Sequence, residues 1–347
     1  MTHTMRGVVY LEPQKLELRE LPIPQIGPDD ILVKIHLATT CGTDLKTYKR
    51  GHHEIPRGSV FGHELVGEVA DVGQNVHKFK PGMRVVPHNS APCGKCYLCK
   101  HGQGNLCESI LFNFGAFAEY IRVPGPIVDI NTFEIPEGCT YEDVALLEPL
   151  STVVHGQRLL KIEQGESAAL VGIGPIGLMH LQMARNGGAT NIIAVDISET
   201  RLKVAAELGA THVINATQVD PVEAIKDLTN GLGADVSIES TGTVAGWQSA
   251  LKSVRKGGRV LWFGGLKPDD TMDLDVHHIH YSETTIYNTH HSSPLDVHIA
   301  FELLTSGRVD AKALISTEMP LEKVEDALLK MAAGEVVKVA IKPGLSV

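Results

Sequence analysis

The stretch Ala168–Gly177 reads AALVGIGPIG and joins an apolar run of strand character to a helical run through a glycine-rich turn. It is the first of six apolar strand-like runs, which are AALVGIG, NIIAVDI, HVIN, VSIES, RVLWFGG and TTIYNT. Six strands that alternate with helices predict an α/β fold with a doubly wound, six-stranded parallel sheet. The predicted crossover helices lie at residues 175–187, 199–209, 220–230 and 243–255.

Three glycines in this stretch, Gly172, Gly174 and Gly177, form the pattern G-x-G-x-x-G between strand and helix. The first permits a tight turn, the second lets a pyrophosphate approach the backbone, and the third lets the helix pack on the strand. The helix that begins with Pro175 and Ile176 directs its N-terminus at the phosphates. This context predicts a dinucleotide site; a glycine turn that binds no nucleotide is the alternative.

The second strand ends in Asp196, 19 residues beyond Gly177. A carboxylate there can accept hydrogen bonds from the adenosine ribose hydroxyls and would repel a 2′-phosphate, which favours NAD over NADP. Arg201 leaves NADP open, because a nearby arginine can accommodate that phosphate. Turns at the carboxyl ends of the fourth and fifth strands are expected to line the cofactor. Their residues are Thr241, Gly242, Gly264 and Gly265.

Residues before about Leu150 follow a different pattern, with short strand-like runs and many Gly and Pro residues between them. The runs include DDILVKIHLATT, ELVGEVADVG, MRVVPH and FAEYIRVP. This pattern predicts a β-rich lobe with many loops. Beyond residue 290 the sequence predicts a helix at about Pro294–Ser306, a second helix and a closing strand.

Four of the six cysteines lie close together in the stretch PCGKCYLCKHGQGNLC. Their spacing, C-x2-C-x2-C-x7-C, lets four thiolates surround one Zn²⁺ tetrahedrally, and the intervening glycines permit the necessary turns. A closed thiolate shell leaves no position for substrate, so we expect a structural zinc. A disulfide pair or free thiols are the alternatives. The four ligands would be Cys93, Cys96, Cys99 and Cys107.

A second set of metal-ligand residues is spread over three segments, with Cys41 in TTCGTDLKTY, His63 and Glu64 in VFGHELVGEV, and Glu148 in LLEPLSTVVHG. One thiolate, one neutral imidazole and one carboxylate would neutralise Zn²⁺ and leave a position for an alcohol oxygen. In a regular strand His63 and Glu64 would point to opposite faces, so both can be ligands only if the backbone turns there. Either glutamate could bind directly while the other acts through water or orients the ligands.

The segments CGTD, GHE, the four-cysteine stretch, EPLS and GIGPIG occur in the order found in zinc-dependent medium-chain alcohol dehydrogenases, which this chain resembles over essentially its whole length. The resemblance implies a GroES-like β-rich catalytic domain of residues 1–150 and 289–347, with a structural zinc lobe at about 88–110. It implies a Rossmann domain at 151–288. Glu148 stands where some relatives have cysteine, and in this the chain resembles the polyol and threonine dehydrogenase branches.

By this resemblance, Cys41, His63 and a glutamate hold a catalytic zinc, and the hydroxyl of Thr43 relays the substrate proton. The chain departs from many relatives at Lys46, five residues after Cys41, where they have a relay histidine. Lys46 could bind an acidic substrate or be a solvated surface lysine. The segment between Cys107 and the strand GAFAEY is also short, and substrate loops often lie there.

The implied activity is the reversible, NAD-dependent oxidation of a secondary alcohol, namely a polyol, cyclitol or sugar alcohol, to the ketone. The chain would hold two zinc ions, one of which acidifies the alcohol before its hydride passes to NAD. Threonine 3-dehydrogenase is the nearest alternative. A zinc-free reductase of the same fold and a non-catalytic NAD-binding sensor are more distant ones.

The bulk composition limits the partners of this chain. A formal net charge of −10 argues against nucleic acid or an anionic membrane. The beginning, MTHTMRGVVYLEP, has no targeting character, and no later run approaches the roughly 18 apolar residues of a spanning helix. We therefore expect a cytoplasmic enzyme with reduced thiols.

Two further expectations concern surfaces. Family resemblance predicts a homodimer or homotetramer, with TTIYNT as the edge strand available for pairing. The segment Asp273–His298 is rich in histidine but lacks cysteine and any regular ligand spacing, so its histidines are expected to be ordinary surface and cleft residues.

Overall fold

The fold is taken from a computed structural model, which describes residues 4–345. Two compact units make up the chain. One contains the described residues up to Ser151 together with those from Ser292 onward, and the other is Thr152–His291. Residues 1–3 and 346–347, which the predicted catalytic domain and the N-terminal stretch include, lie outside the described residues.

Strands occur throughout both units and are numbered in chain order. Those that precede the second unit are β1 (Thr4–Glu12), β2 (Lys15–Pro22), β3 (Ile31–Thr39), β4 (Ser59–Val60), β5 (Glu64–Val72), β6 (Arg84–Pro87), β7 (Ser90–Ala91), β8 (Leu111–Phe112), β9 (Tyr120–Val123) and β10 (Thr132–Glu134). The second unit contains β11 (Ser167–Val171), β12 (Asn191–Asp196), β13 (His212–Asn215), β14 (Ala234–Glu239), β15 (Val254–Trp262) and β16 (Thr285–Asn288). The first unit resumes with β17 (Ile315–Met319) and β18 (Lys338–Ile341).

Helices are numbered in the same way. The first four belong to the first unit, and the fifth contains the unit boundary: α1 (Gly42–Arg50), α2 (Tyr97–Lys100), α3 (Gly125–Asn131), α4 (Tyr141–Val144) and α5 (Leu147–Leu160). The second unit adds α6 (Pro175–Gly187), α7 (Glu199–Glu207), α8 (Pro221–Asp227), α9 (Val244–Lys252) and α10 (Val276–Ser282). The last two, in the first unit, are α11 (Pro294–Thr305) and α12 (Val324–Ala333).

The second unit contains the six-stranded sheet that the sequence predicts. Its strand order is β13-β12-β11-β14-β15-β16, and every neighbouring pair is parallel. The predicted crossovers correspond to α6–α9, with ends within three residues of those expected. The strand order reverses between β11 and β14, and ligands of such sheets bind at this reversal, outside the carboxyl ends of the strands.

The first unit is the β-rich lobe that the sequence predicts. Its largest sheet has the order β10-β6-β5-β3-β18-β17, with β9 also paired to β3. The closing strand β18 runs antiparallel to β3, where Ala340 faces Thr39. Strand β18 therefore lies beside the strand that leads into Cys41. Large buried side chains fill the core of this unit, including Tyr10, Phe61, Phe79 and Phe117.

Within the described part of the chain, no helix has both the length and the apolar character that crossing a membrane requires.

Candidate metal centres and cofactor site

The four clustered cysteines converge in space. Each sulfur lies within 4.8 Å of the others, and the Sγ atoms of the pairs Cys93–Cys99 and Cys96–Cys107 are 4.0 Å apart. A tetrahedron with Zn–S bonds of about 2.3 Å needs sulfurs about 3.8 Å apart, so this arrangement fits zinc. The local chain supplies the whole geometry, since α2 and two tight turns at Gly94 and Gly102 wrap the backbone around the sulfurs.

Backbone N–H groups of the same loop point at these sulfurs. Hydrogen bonds from Lys95 and Cys96 lower the pKa of Cys93 to about 6. Cys107 Sγ accepts hydrogen bonds from the backbone of Cys93 at 3.2 Å and of Ser109 at 3.3 Å. Burial, followed by the neighbouring thiols, raises the pKa of Cys99 to about 12. One thiolate thus forms readily, whereas four together require a cation, and this donor set suits a closed metal site.

A second group brings together Cys41, His63 and Glu64, whose ligand atoms lie within 4.8 Å of one another. Cys41 is the residue before α1, and its Sγ accepts a hydrogen bond from the backbone of Thr43 at 3.4 Å. His63 precedes β5, and Glu64 is the first residue of that strand. The regular strand therefore begins only after His63, so the two adjacent side chains need not point to opposite faces.

Gly62 makes this entry into β5 possible. Its φ is +86°, a left-handed conformation that favours glycine, and a Cβ there would lie 2.8 Å from the ring of Phe117. The core aromatic and the glycine thus fix where the chain turns before His63.

Asp44 orients His63 and was missed at the sequence level. Its Oδ1 lies 3.0 Å from His63 Nδ1, and its Oδ2 accepts a hydrogen bond from the backbone N–H of Cys41 at 2.9 Å. Asp44 holds the proton on Nδ1 and leaves Nε2 available as a ligand, as carboxylate partners of metal-binding histidines do. The signal was present in CGTD, because Asp44 is the third helical residue and completes a capping box with Cys41.

The two carboxylate oxygens of Glu64 have different surroundings. Its Oε2 accepts hydrogen bonds from Thr39 Oγ1 and, at 2.5 Å, from Lys338 Nζ. Among the described residues Oε1 is buried and has no hydrogen-bond partner, which marks it as the atom available to a metal. Lys338 also donates to the carbonyl of Thr40 at 2.7 Å. Burial lowers the pKa of Lys338, but the Glu64 and Cys41 charges outweigh it, so the pKa is raised overall.

Glu148 lies outside this three-residue group but is within reach of its charges. It is near the start of α5, and its Oε1 lies 3.4 Å from Asn89 Nδ2. Burial raises its pKa to about 7, while the charge of His63 lowers it and that of Glu64 raises it. Of the two candidate glutamates, Glu64 is therefore placed among the ligand atoms and Glu148 beside them.

Thr43 and Lys46 lie three residues apart on α1, which puts them on one face of the helix. Thr43 is half-buried beside Cys41, whereas Lys46 is exposed.

The histidine-rich segment forms no further metal group. Among the described residues, only the two groups above bring three or more Cys, His, Asp or Glu ligand atoms this close together.

The glycine pattern has the geometry that its spacing predicts. Gly172 has φ +91°, and a Cβ there would lie 2.6 Å from Thr241 Cγ2. A Cβ at Gly177 would lie 2.0 Å from the carbonyl oxygen of Gly172, so only glycine lets α6 approach the strand. Gly174 has open space around it, where a pyrophosphate can approach, and Pro175 and Ile176 are half-buried at the start of α6.

Asp196 ends β12 and is held by backbone donors. Its Oδ2 accepts a hydrogen bond from Ile173 at 2.6 Å, and its Oδ1 accepts bonds from Ile197 and Ser198 at 2.8 and 2.9 Å. Arg201 Nη1 lies 3.9 Å from Oδ1. Asp196, which would hydrogen-bond the adenosine ribose, and Arg201, which could bind a 2′-phosphate, are therefore immediate neighbours.

Two families of known domains match this chain. Residues 27–131 match the alcohol dehydrogenase GroES-like domain, and residues 175–306 match the zinc-binding dehydrogenase domain. The chain is 36% identical over 360 aligned positions to the sorbitol dehydrogenase of Bacillus subtilis (strain 168), covering 99% of each chain.

Two further likenesses extend this result. An L-threonine 3-dehydrogenase of Caldanaerobacter subterraneus subsp. tengcongensis is 35% identical over 331 positions, covering 92% of this chain and 93% of the relative. The crystal structure of a protein of Sinorhizobium meliloti 1021, described as a zinc-binding dehydrogenase and bound to NADP, matches this chain with a TM-score of 0.90 and 31% identity. The match covers 98% of this chain and 100% of that one.

The chain therefore belongs to the zinc-dependent medium-chain alcohol dehydrogenase family. It is an oxidoreductase that acts on a small-molecule alcohol.

Proposed function

We propose that this chain catalyses the reversible, NAD-dependent oxidation of a secondary hydroxyl in a polyol, cyclitol or sugar alcohol. The observation that carries the proposal is the group of Cys41, His63 and Glu64, in which Glu64 Oε1 is buried and has no hydrogen-bond partner among the described residues. The similarity to a sorbitol dehydrogenase over 99% of the chain and the glutamate at position 148 support the substrate class.

In this proposal Cys41, His63 and Glu64 hold the catalytic zinc, and Glu148, which interacts with the charges of His63 and Glu64, acts on the site through water. When bound, Zn²⁺ acidifies the alcohol hydroxyl, and NAD accepts the hydride. Cys93, Cys96, Cys99 and Cys107 hold the structural zinc.

The residues of the chain orient these groups and move the proton. Asp44 fixes the His63 ring through Nδ1 at 3.0 Å. Thr43, half-buried one residue beyond the start of α1, takes the proton of the substrate hydroxyl and passes it outward. Lys46 is exposed and lies three residues further along α1, on the same face of the helix.

The preference for NAD rests on Asp196. Its carboxylate would accept hydrogen bonds from the adenosine ribose and repel a 2′-phosphate. Because a structural relative is bound to NADP and Arg201 lies 3.9 Å from Asp196, both cofactors belong in the assay. The expected result is a clear preference for NAD in kcat/KM, and Asp196→Ala would reduce it.

Oxidation of L-threonine is the second candidate function. The similarity to L-threonine 3-dehydrogenases, at 35% identity over 92% of the chain, favours it. Threonine carries a carboxylate and an ammonium group, so the two candidates differ sharply in substrate charge, and one assay panel separates them.

The deciding experiment measures NADH formation by zinc-replete protein with polyols, cyclitols, sugar alcohols, simple secondary alcohols and threonine, before and after mild chelation. Chelator-sensitive oxidation of the polyhydroxy compounds is expected. Preference for threonine would move the assignment to the second candidate. Failure of every alcohol, with NAD and both zinc ions bound, would contradict the proposal.

A matched pair of variants tests Thr43. Thr43→Val removes the hydroxyl at nearly constant shape and should lower kcat by about a hundredfold or more, while Thr43→Ser keeps the hydroxyl and should retain most activity. Equal losses in the two variants would show that packing, and not the hydroxyl, matters.

Assembly is proposed separately. β16 is the edge strand of the parallel sheet and could pair with the same strand of a second copy, giving a homodimer or homotetramer. Light scattering coupled to gel filtration should give a mass of two or four times 37.5 kDa. A monomeric mass would contradict this.

A further inference from the structure

Glu239 is a fully buried acid in the second unit that the site described above does not use. It is the last residue of β14, at the carboxyl end of the parallel sheet, and its side chain has no exposed surface. A charged residue at the end of the apolar run ADVSIE is costly to bury unless its oxygens are well satisfied.

The carboxylate of Glu239 joins two loops. Its Oε1 accepts hydrogen bonds from the backbone N–H and Oγ1 of Thr241, both at 2.5 Å, and from the backbone N–H of Gly242 at 2.7 Å. Its Oε2 accepts a hydrogen bond from the backbone N–H of Gly264 at 3.2 Å. One side chain thus binds the loop after β14 and the loop after β15.

These loops are in direct contact above the carboxylate. A Cβ on Gly264 would lie 2.3 Å from the backbone nitrogen of Gly242, and a Cβ on Gly242 would lie 2.9 Å from the carbonyl oxygen of Gly265. Trp247 Nε1 further holds the second loop by donating to the carbonyl of Gly264 at 2.9 Å. The two glycine turns form one layer, and Glu239 fixes it from below.

Glu239 is surrounded by donors and carries its charge without a cation. The hydrogen bonds that its oxygens accept come from N–H and O–H groups of Thr241, Gly242 and Gly264, and none comes from a Lys, Arg or His among the described residues. Burial raises its pKa, and the bonds from Thr241, Gly242 and Gly264 lower it. Three of its four hydrogen bonds come from backbone N–H groups, which can only donate, so the geometry suits the anion.

The position of Glu239 assigns it to one half of the cofactor. A dinucleotide binds across the strand reversal, with one mononucleotide against each half of the sheet. Asp196 ends β12 and reads the adenosine ribose, so the half that contains β14, β15 and β16 receives the nicotinamide. The oxidised nicotinamide ring is positively charged, and the reduced ring is neutral.

We propose that Glu239 is a positioning residue for the nicotinamide half of the cofactor. It holds the loops at Thr241–Gly242 and Gly264 in one layer, and its fixed negative charge beneath them favours NAD⁺ over NADH. The inference rests on the proposed use of NAD and extends it to the binding preference between the two redox states.

The test compares dissociation constants for NAD⁺, NADH and AMP, measured by calorimetry on the zinc-loaded protein and its Glu239→Gln variant. The variant keeps the side-chain shape but removes the charge and turns an amide toward backbone donors. We expect NAD⁺ affinity to fall about tenfold, NADH affinity about twofold to threefold, and AMP affinity to stay within about twofold.

The matched control is Asp235→Asn, which removes a carboxylate from the opposite end of the same strand. Asp235 bonds to Ser167 and Arg255 and faces no cofactor loop. Its NAD⁺-to-NADH affinity ratio should equal that of the wild type. If E239Q does not fold, Glu239→Asp keeps the charge at a shorter reach. Both redox forms should then bind more weakly at an unchanged ratio.

Equal weakening of NAD⁺, NADH and AMP in E239Q would reduce Glu239 to a structural residue and overturn the inference. An unchanged NAD⁺-to-NADH ratio in that variant, or a changed ratio in Glu239→Asp, would also overturn it. Wild-type protein that binds neither NAD⁺ nor NADH would instead overturn the proposed cofactor, and the inference with it.

Discussion

The two cysteine-containing clusters are built in opposite ways. The four-cysteine cluster lies within one stretch from Cys93 to Cys107, and three of its members are partly exposed. The group of Cys41, His63 and Glu64 is assembled from separate segments, and its histidine and glutamate are buried. The first has four identical ligands and no position to spare, while the second has three different ones.

Their electrostatics differ in the same sense. In the local cluster, backbone N–H groups lower the pKa of Cys93 to about 6. In the assembled group, burial and then the charge of Glu64 raise the pKa of Cys41. The local cluster stabilises the thiolate of Cys93 with backbone groups of its own loop, whereas the group of Cys41, His63 and Glu64 also depends on a charge from a distant strand, that of Lys338. The charge balance of the group of Cys41, His63 and Glu64 thus depends on the tertiary fold.

The largest expected effect comes from breaking the assembled group. Cys41→Ala should lower kcat/KM by about 10⁴-fold, because the metal and its Lewis-acid contribution of several kcal/mol are lost. Metal analysis should still find about one zinc per chain, held by the other cluster. The control is Cys139→Ser, which changes the one cysteine outside both groups and should leave activity and zinc content unchanged. Loss of both zinc ions in Cys41→Ala would contradict the independence of the two sites.

The second prediction removes the distant charge. Lys338→Met leaves the buried carboxylate of Glu64 without its cation, which should lower the free energy of unfolding by about 3–5 kcal/mol. Urea denaturation of metal-free protein measures this. Lys338→Met combined with Glu64→Gln should recover much of the loss, since no unpaired charge remains buried. If Lys338→Met lowered the free energy of unfolding by less than about 1 kcal/mol, the ion pair of Lys338 and Glu64 would not stabilise the metal-ligand group.

The third prediction concerns the local cluster. Cys96→Ser should remove one equivalent of zinc and lower the free energy of unfolding by about 2–3 kcal/mol, because structural zinc contributes directly to folding. The melting temperature would fall by about 5–10 °C. Activity per remaining zinc should persist at low temperature. Complete loss of turnover with the catalytic zinc still bound would contradict this prediction, because it would show that activity depends directly on the four-cysteine cluster.

The smallest expected effect is a pH dependence due to Glu148. Burial raises its pKa to about 7, so between its ordinary value and pH 7 the folded state binds more protons than the unfolded state. Its contribution to stability is therefore present at low pH and is lost as pH rises through about 7. Metal-free wild type should lose on the order of 2 kcal/mol over this window relative to Glu148→Gln. Parallel stability curves for the two proteins would contradict the raised pKa.

Much of the fold followed from local patterns. The doubly wound sheet could be predicted because its buried strands are continuous apolar runs. At Gly172 and Gly177 a side chain would clash with neighbouring atoms, so these two positions require glycine. The four-cysteine cluster could be predicted because 15 consecutive residues contain the whole site. Such features are short-range, and residue type and spacing nearly determine them.

Asp44, Lys338 and Glu239 were not recognised from the sequence. Asp44 was hidden within a helix cap. Lys338 is the one charge of its apolar strand, and its distant partner Glu64 cannot be read from spacing. Glu239 ends the strand ADVSIE, and its hydrogen bond from Gly264, 25 residues away, cannot be read from spacing either. Glu64 and Lys338 are 274 positions apart and meet only because β18 pairs with β3.

The sequence by itself determined the parallel sheet, the glycine turn, the thiolate cluster and the residue types of the second metal group. Only the tertiary structure decided that Glu64 lies among the ligand atoms with Glu148 beside them, that Asp44 holds His63, and that Lys338 balances the charge. The physical reason is that burying a charge is tolerable only when partners surround it in three dimensions, and those partners come from strands and loops far apart in the chain.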